Sequence, residues 1–208
     1  MNILLKSALA LTFCATASLA DPAGLRDLTI DAPHQGRPLS GAIYYPSRGD
    51  GLVEVHAGNP VFVGVPVIKD SEIAPGRYPL VMLSHGMGGN LRSLAGLATG
   101  LAEQGAIVIA VNHPNSTWGD FDLAEGLKHW TRAQDLQTAL DFVLADPEIA
   151  NMVDHSRIMA AGFSYGGWTA LSLGGLRGNH AAYTAHCNEY GAASSHCSDL
   201  MRGDVGLQ

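Results

Sequence analysis

The chain has 208 residues, with 12 Lys and Arg against 19 Asp and Glu, and 47% of its residues are hydrophobic while 15% are charged. This is the length of a single domain, and so apolar a chain buries a substantial core, which excludes a disordered protein. The net charge of −7 and the presence of only three lysines argue against a nucleic-acid partner, because phosphates require a basic surface.

The N-terminus has the pattern of a secretory signal peptide. Lys6 precedes an apolar run over residues 7–17 that is too short to span a bilayer. Ser18-Leu19-Ala20 then places small residues at the −3 and −1 positions of a cleavage site. The alternative is a buried N-terminal helix. The pattern favours the signal peptide.

This interpretation divides the chain into two parts. We expect residues 1–20 to be a cleaved signal peptide and residues 21–208 to form a single domain in a periplasmic or secreted protein. Cys14 does not indicate a lipoprotein, because Phe13 stands where such a site needs a small residue. No stretch of about 20 apolar residues follows, so no membrane span is expected after cleavage.

The two cysteines of the mature chain, Cys187 and Cys197, are separated by nine residues. In an oxidising compartment we expect them to form a disulfide that closes a short loop. A zinc site is the alternative, because a histidine precedes each cysteine. Zinc ligands usually lie about two to four residues apart, however, and adjacent residues of an extended chain point in opposite directions. The pattern favours the disulfide.

The first predicted elements are two strands. Leu25–Asp31 alternates apolar and polar residues, and Leu39–Tyr45 is its predicted partner, ending at a proline turn. Residues 47–78 are rich in glycine and proline and include a valine-rich patch at Val61–Val67. We expect a long loop there, with one short strand.

Beyond residue 78, apolar runs alternate with helical patterns. The apolar runs are Tyr78–Ser84, Ala106–Val111 and Arg157–Phe163. The helical patterns are Leu91–Gln104, Leu127–Leu144 and 166–176. Strands that are apolar throughout are covered on both faces, and helices between them require parallel crossovers. The sequence therefore predicts an α/β fold with a mostly parallel sheet that is antiparallel at its N-terminal edge.

The third apolar run leads into Gly162–Gly167, GFSYGG, which contains G-x-S-x-G at a strand-to-helix junction. In such a turn Ser164 is pushed above the sheet as a nucleophile, and glycines relieve the crowding around it. The backbone N–H of Tyr165 then lies where it can stabilise an oxyanion. A structural glycine-rich turn is the alternative. The strand and helix on either side favour the nucleophile.

A second glycine-rich loop, Ser84–Asn90, follows the first apolar run. In folds where G-x-S-x-G carries a nucleophile, such a loop supplies the other amide of the oxyanion hole. We expect Met87 to be that donor, with Gly86 and Gly88 as alternatives. A phosphate-binding loop is not favoured, because neither G-x-G-x-x-G nor a P-loop lysine is present.

Several polar and aromatic residues near these loops have more than one interpretation. His85 directly precedes the oxyanion loop and is expected to shape the turn, whereas His113 ends a strand and is a candidate for substrate contact. Arg132 and Asp135, three apart on a helix, are expected to form a structural ion pair, either within the helix or from the helix to a loop. Three aromatic residues have two possible roles, either lining an acyl pocket or packing at the surface: Trp118, Phe121 and Trp130.

Six segments occur in an order that resembles bacterial secreted α/β-hydrolases of the dienelactone hydrolase and platelet-activating-factor acetylhydrolase-like type. They are Tyr44–Pro46, Asn59–Phe62, Ser84–Gly89, Val111–Pro114, Arg132–Asp135 and Gly162–Gly167. The resemblance implies an α/β-hydrolase fold and an esterase or lactonase that acts on a small-molecule ester or lactone through Ser-His-Asp. It implies Ser164 as nucleophile and Met87 and Tyr165 as oxyanion donors. No cofactor or metal is expected.

The chain departs from this family after Ser164, where an acid and then a histidine are expected on later strands. Asp199 and Asp204 have no histidine after them. The remaining histidines lie in a segment predicted to be a polar loop: His180, His186 and His196. The triad acid and base are therefore not found. We expect residues 21–208 to be the N-terminal two-thirds of a domain whose C-terminal strands are missing, with impaired activity.

Two further hypotheses remain open. G-x-S-Y-G-G also occurs in serine peptidases of the prolyl-oligopeptidase type, which carry a large propeller upstream that this chain does not have room for. The second hypothesis is that the chain is a non-catalytic α/β-hydrolase-like fragment or a binding module.

Overall fold

A computed structural model describes residues 21–195 and 197–198. The predicted signal peptide, residues 1–20, lies outside the described residues, as do His196, Asp199 and Asp204. The strands are β1 (Ala23–Ile30), β2 (Leu39–Tyr45), β3 (Val53–His56), β4 (Val65–Lys69), β5 (Tyr78–Ser84), β6 (Ile107–Val111), β7 (Ser116–Thr117), β8 (Asp120–Phe121) and β9 (Val153–Gly162). The helices are α1 (Ala95–Glu103), α2 (Leu123–Gly126), α3 (His129–Ala145), α4 (Pro147–Ala150), α5 (Tyr165–Leu173) and α6 (His180–Tyr190). Short 3₁₀ turns occupy Pro33–Gln35, Leu91–Leu94 and Gly191–Ala193.

Seven strands form one sheet in the order β3-β4-β1-β2-β6-β5-β9, and β7 and β8 form a separate ribbon. Strands β5, β6 and β9 are parallel to one another, whereas β2 is antiparallel to both β1 and β6. The α/β prediction and the antiparallel N-terminal part are confirmed. In the described residues β9 is the edge of the sheet on the side away from β1.

The prediction for residues 47–78 was wrong in one respect. Instead of one short strand, this segment contains the antiparallel pair β3 and β4, and β4 runs parallel to β1. Within the valine-rich patch, Val65 and Val67 lie in β4, whereas Val61–Val63 is part of the exposed connection between the two strands. Alternation over four or five residues was too short a signal to separate strand from loop.

The core lies on both faces of the sheet, because successive residues of a strand point to opposite sides. On one face Ala98 and Ala102 of α1 pack against Tyr44 and Val108. On the other face Leu136, Ala139 and Val143 of α3 pack against a second set: Ile43, Tyr45, Met82 and Ile109. Helix α3 thereby runs across the strands that carry the two glycine-rich loops.

Cys187 and Cys197 form a disulfide in the structure. Cys187 lies in α6 rather than in the loop that was predicted, as do His180 and His186. No strand follows α5 within the described residues, and none of the helices described there is long and apolar enough to cross a membrane.

Candidate active site

A sharp turn between β9 and α5 presents Ser164. The residue has φ 53° and ψ −119°, in a region that side chains rarely adopt, and it is exposed. Such strain costs about 1–3 kcal/mol and persists only where the surrounding structure enforces it. The turn therefore holds a hydroxyl in solvent at the carboxyl end of a parallel strand.

Two glycines are required by the close approach of backbone in this turn. A Cβ on Gly162 would overlap the carbonyl oxygen of Gly166. A Cβ on Gly166 would in turn overlap the carbonyl oxygen of Ser84, at the end of β5. The turn is thus pressed against the strand that leads into the second glycine-rich loop.

The two predicted loops are in contact. The Phe163 N–H donates to the Ser84 carbonyl at 3.1 Å. The position of a Cβ on Gly86 lies 3.3 Å from the Ser164 Cβ. The structure therefore brings residues 84–89 next to the exposed serine, as the sequence motifs predict for a hydrolase.

The amides of this loop are not equivalent. Gly88 N–H donates to the Ser116 carbonyl at 2.9 Å, and Gly89 N–H donates to the Gly86 carbonyl at 3.0 Å. Within the described chain, the amides of Gly86 and Met87 have no acceptor. Gly88, one of the alternatives for the oxyanion donor, is therefore already committed, while Met87 remains available.

The other candidate donor, Tyr165, is the first residue of α5. The first amides of a helix have no intrahelical acceptor and carry the positive end of the helix dipole. The Tyr165 phenol donates to the Gly126 carbonyl at 3.1 Å, which fixes its side chain away from the turn.

Behind the loops, the guanidinium of Arg132 is 1% exposed and makes four hydrogen bonds. Its Nε donates to Thr169 Oγ1 at 3.0 Å, Nη1 donates to Ser116 Oγ, and Nη2 donates both to Ser84 Oγ at 3.1 Å and to the His85 carbonyl. Burial lowers the pKa of Arg132 to about 10, which leaves it charged at neutral pH.

Of the two predicted alternatives, the ion pair between Arg132 and Asp135 within the helix does not form. One carboxylate oxygen of Asp135 accepts from His34 Nε2 at 2.7 Å and from Gln35 Nε2 at 2.8 Å. The other accepts from His113 Nδ1 at 2.8 Å. The helical spacing of three residues places both side chains on the buried face of α3, where each finds partners on other segments.

His113 does not contact a substrate pocket, contrary to the prediction. It is fully buried, and because a carboxylate only accepts, its Nδ1 carries the proton that goes to Asp135. Its Nε2 then accepts from Ser84 Oγ at 2.9 Å. Burial, and the nearby charge of Arg132, lower the pKa of His113 to about 4.

His85 shapes the turn. Its Nδ1–H donates to the Gly86 carbonyl at 2.7 Å, and its Nε2 accepts from the His113 N–H at 3.2 Å. Burial, followed by the effect of the adjacent His113 ring, lowers the pKa of His85 to about 3. A histidine with both nitrogens engaged in this way is a neutral structural group.

No general base stands at Ser164 in the part of the chain that the structure describes. Its hydroxyl makes no hydrogen bond there to a histidine or a carboxylate, and the ring nitrogens of His85 and His113 are engaged elsewhere. His186 Nε2 bonds Ser194 Oγ at 3.2 Å. Among the described residues, no group of three or more His, Cys, Asp or Glu side chains is arranged to hold a metal ion.

Exposed aromatic side chains adjoin the two loops. The Trp118 N–H donates to the Gly89 carbonyl at 2.8 Å, and the Phe121 ring is 3.9 Å from the position of a Cβ on Gly88. Three aromatic side chains here are more than half exposed: Trp118, Phe121 and Phe163. Trp130 instead packs edge-on against His129, with ring centroids 5.5 Å apart.

The sheet, the strained serine and the adjoining glycine-rich loop are those of the α/β-hydrolase fold. Residues 34–119 match the family model described as platelet-activating factor acetylhydrolase, isoform II. This match includes the second glycine-rich loop but ends before Ser164.

Three similar proteins bear on the chain's relationships. It is 33% identical over 102 residues to Cutinase est1 of Thermobifida alba, a match that covers 48% of this chain and 31% of the cutinase. It is 40% identical over 73 residues to Lipase 1 of Moraxella sp. (strain TA144), covering 35% of this chain and 20% of the lipase. A ferulic acid esterase from Streptomyces cinnamoneus superposes with a TM-score of 0.61 at 27% identity, covering 77% of this chain and 57% of that one. The matched region thus spans about a third of the cutinase.

Sequence reasoning did not identify the buried polar network behind the site. Ser116 and Thr169 lie outside the sequence motifs, and Ser84 was interpreted only as the first residue of the second glycine-rich loop. A usable signal was present in α3, where Arg132 and Asp135 share the helical stripe of Leu136. Charged residues on an apolar stripe are expected to be buried and to bind polar groups of other segments.

We expect Gly166→Ala to destabilise the protein by about 3 kcal/mol or more, because its Cβ would overlap a backbone carbonyl that cannot move freely. Gly167→Ala is the matched control in the same helix, since a Cβ there would lie 3.5 Å from the Gly162 carbonyl oxygen, an ordinary van der Waals contact. Chemical denaturation of both variants measures the difference. Equal stabilities would contradict the packing described for the turn.

We also expect the free energy of unfolding to fall as the pH drops from about 7 to 4. The folded state holds His85 and His113 neutral, with pKa values of about 3 and 4, so unfolding takes up protons below about pH 6.5. Each histidine contributes a slope of up to about 1.4 kcal/mol per pH unit. In urea titrations His85→Gln should reduce this slope, whereas His155→Gln, at an exposed position, should not. Stability that is constant over this range would refute the assignment.

Proposed function

We propose that this protein is a serine hydrolase of carboxylic esters or lactones, with Ser164 as nucleophile. The Ser164 oxygen attacks the carbonyl carbon, the alcohol leaves with a proton, and an acyl-enzyme forms that water later cleaves. The amides of Met87 and Tyr165 stabilise the negative charge on the former carbonyl oxygen. The observation that carries this proposal is the strained, exposed Ser164 beside a loop with an unpaired Met87 amide.

The substrate class rests on two further observations. The similar proteins are a cutinase, a lipase and a ferulic acid esterase by name. The loops beside the serine also expose Trp118, Phe121 and Phe163, which offer apolar surface to an ester substituent. We therefore assign a small-molecule ester with an apolar or aromatic group to this site.

Turnover by the 208-residue chain is proposed to be slow. A serine hydroxyl is a poor nucleophile until a base removes its proton, and the described residues place none beside Ser164. Without a triad member, the remaining acceleration over water is about 10³–10⁴-fold. We therefore propose that the oxyanion hole is formed, whereas the described residues supply no proton acceptor for Ser164.

We further propose that the protein is exported. The Cys187–Cys197 disulfide supports this, because disulfides persist in oxidising compartments outside the cytoplasm. The proposed signal peptide is the apolar N-terminal segment with small residues at positions 18 and 20.

A fluorophosphonate probe and p-nitrophenyl acetate together test the nucleophile. We expect slow labelling by the probe and slow ester hydrolysis, both lost in Ser164→Ala. Ser156→Ala is the control, since Ser156 is an exposed serine on the strand that leads to the site. The same rates in Ser164→Ala and the unmodified chain would exclude Ser164. An unreactive chain would instead favour the non-catalytic binding module.

A further inference from the structure

Arg132 reaches the loop that carries Met87 from both ends. At the start of the loop, its Nη2 donates to the His85 carbonyl, two residues before Met87. At the far end, its Nη1 donates to Ser116 Oγ, and the Ser116 carbonyl accepts the Gly88 N–H at 2.9 Å. The guanidinium therefore binds the His85–Gly86 peptide unit directly and is connected to the Met87–Gly88 peptide unit through Ser116.

The same group also contacts the helix that carries Tyr165. The Arg132 Nε donates to Thr169 Oγ1, which lies one turn along α5 from Tyr165. The guanidinium carbon of Arg132, Cζ, lies 4.9 Å from the centroid of the Tyr165 ring. A cation over an aromatic face is attracted to it. Both amides assigned to the oxyanion hole are thus positioned relative to one side chain.

Arg132 is itself held by a Ser84–His113–Asp135 array. Asp135 fixes the His113 ring, His113 accepts the Ser84 hydroxyl proton, and the Ser84 oxygen thereby faces the Arg132 Nη2. The hydrogen-bond pattern is that of a catalytic triad, but all three members of the array are fully buried. No substrate reaches the Ser84 hydroxyl, so the array orients an acceptor for Arg132.

We propose that Arg132 is a positioning residue that aligns the amides of Met87 and Tyr165 into one oxyanion hole, and that Ser84, His113 and Asp135 fix its orientation. The proposal deepens the proposed function and rests on it. A lysine cannot replace the guanidinium fully, because its single ammonium cannot reach acceptors on three segments in one plane.

The test uses Ser164→Cys, because a cysteine forms a thiolate without a neighbouring base. Two reactions of that thiol are compared across a pH series. Acylation by p-nitrophenyl acetate creates an oxyanion and reports the amide donors. Alkylation by iodoacetamide creates none and reports only access and thiolate fraction. Ser156→Cys gives the reactivity of an exposed thiol in the same chain, including any contribution from Cys14.

In the Ser164→Cys background, we expect Arg132→Met to lower the acylation rate about 10- to 100-fold, less than the roughly 10²–10³-fold cost of removing an oxyanion donor outright, because the amides are misaligned rather than lost. Arg132→Lys should retain part of the rate, and Ser116→Ala, which removes one contact, should lose less than Arg132→Met. The alkylation rate should stay within about twofold. Arg26→Lys is the matched control, because Arg26 also spans several acceptors but lies on β1.

Three outcomes would overturn the inference or its basis. Acylation and alkylation that fall together would mean that Arg132 only supports the fold. Acylation at an unchanged rate in Arg132→Met, or in Ser116→Ala where Arg132→Met does not fold, would mean that the amides need no such alignment. If the Ser164→Cys thiol is acylated no faster than the Ser156→Cys thiol, the proposed function itself fails. Circular dichroism identifies any variant that does not fold, and Ser116→Ala then decides.

Discussion

A buried positive charge organises this site. Removing the Arg132 guanidinium from water is costly unless acceptors satisfy its hydrogens. This chain supplies acceptors from the end of β5 and the residue after it, from β7 and from α5. These are the segments that must meet for a hydrolase site to form. The requirement to satisfy one cation therefore also fixes the geometry of the amides that face solvent.

Steric crowding supplies the second constraint. The turn at Ser164 is possible only because Gly162 and Gly166 lack side chains where the backbones touch. The strain of Ser164 at φ 53° is maintained by the contact of the turn with the end of β5. The buried side of the turn packs against the end of β5, and the Ser164 hydroxyl is therefore exposed on the opposite side.

The sequence predicted the features that depend on local patterns. Apolar runs defined β5, β6 and β9, and G-x-S-x-G placed Ser164 at a strand-to-helix junction. The sequence did not predict that His113 is fully buried. It also did not predict that Arg132 and Asp135 bind separate partners, because these contacts join segments that are distant in the chain. The second strand between residues 47 and 78 was missed, because alternation over four or five residues is too short a signal to separate strand from loop.

We propose that Ser164 faces an oxyanion hole formed by two backbone amides. A crystal structure of the chain after reaction with a p-nitrophenyl phosphonate would show this arrangement. We expect phosphorus bonded to Ser164 Oγ, with the phosphoryl oxygen about 2.7–3.1 Å from the nitrogens of Met87 and Tyr165. Phosphorus on a different residue, or a phosphoryl oxygen directed to solvent, would contradict it.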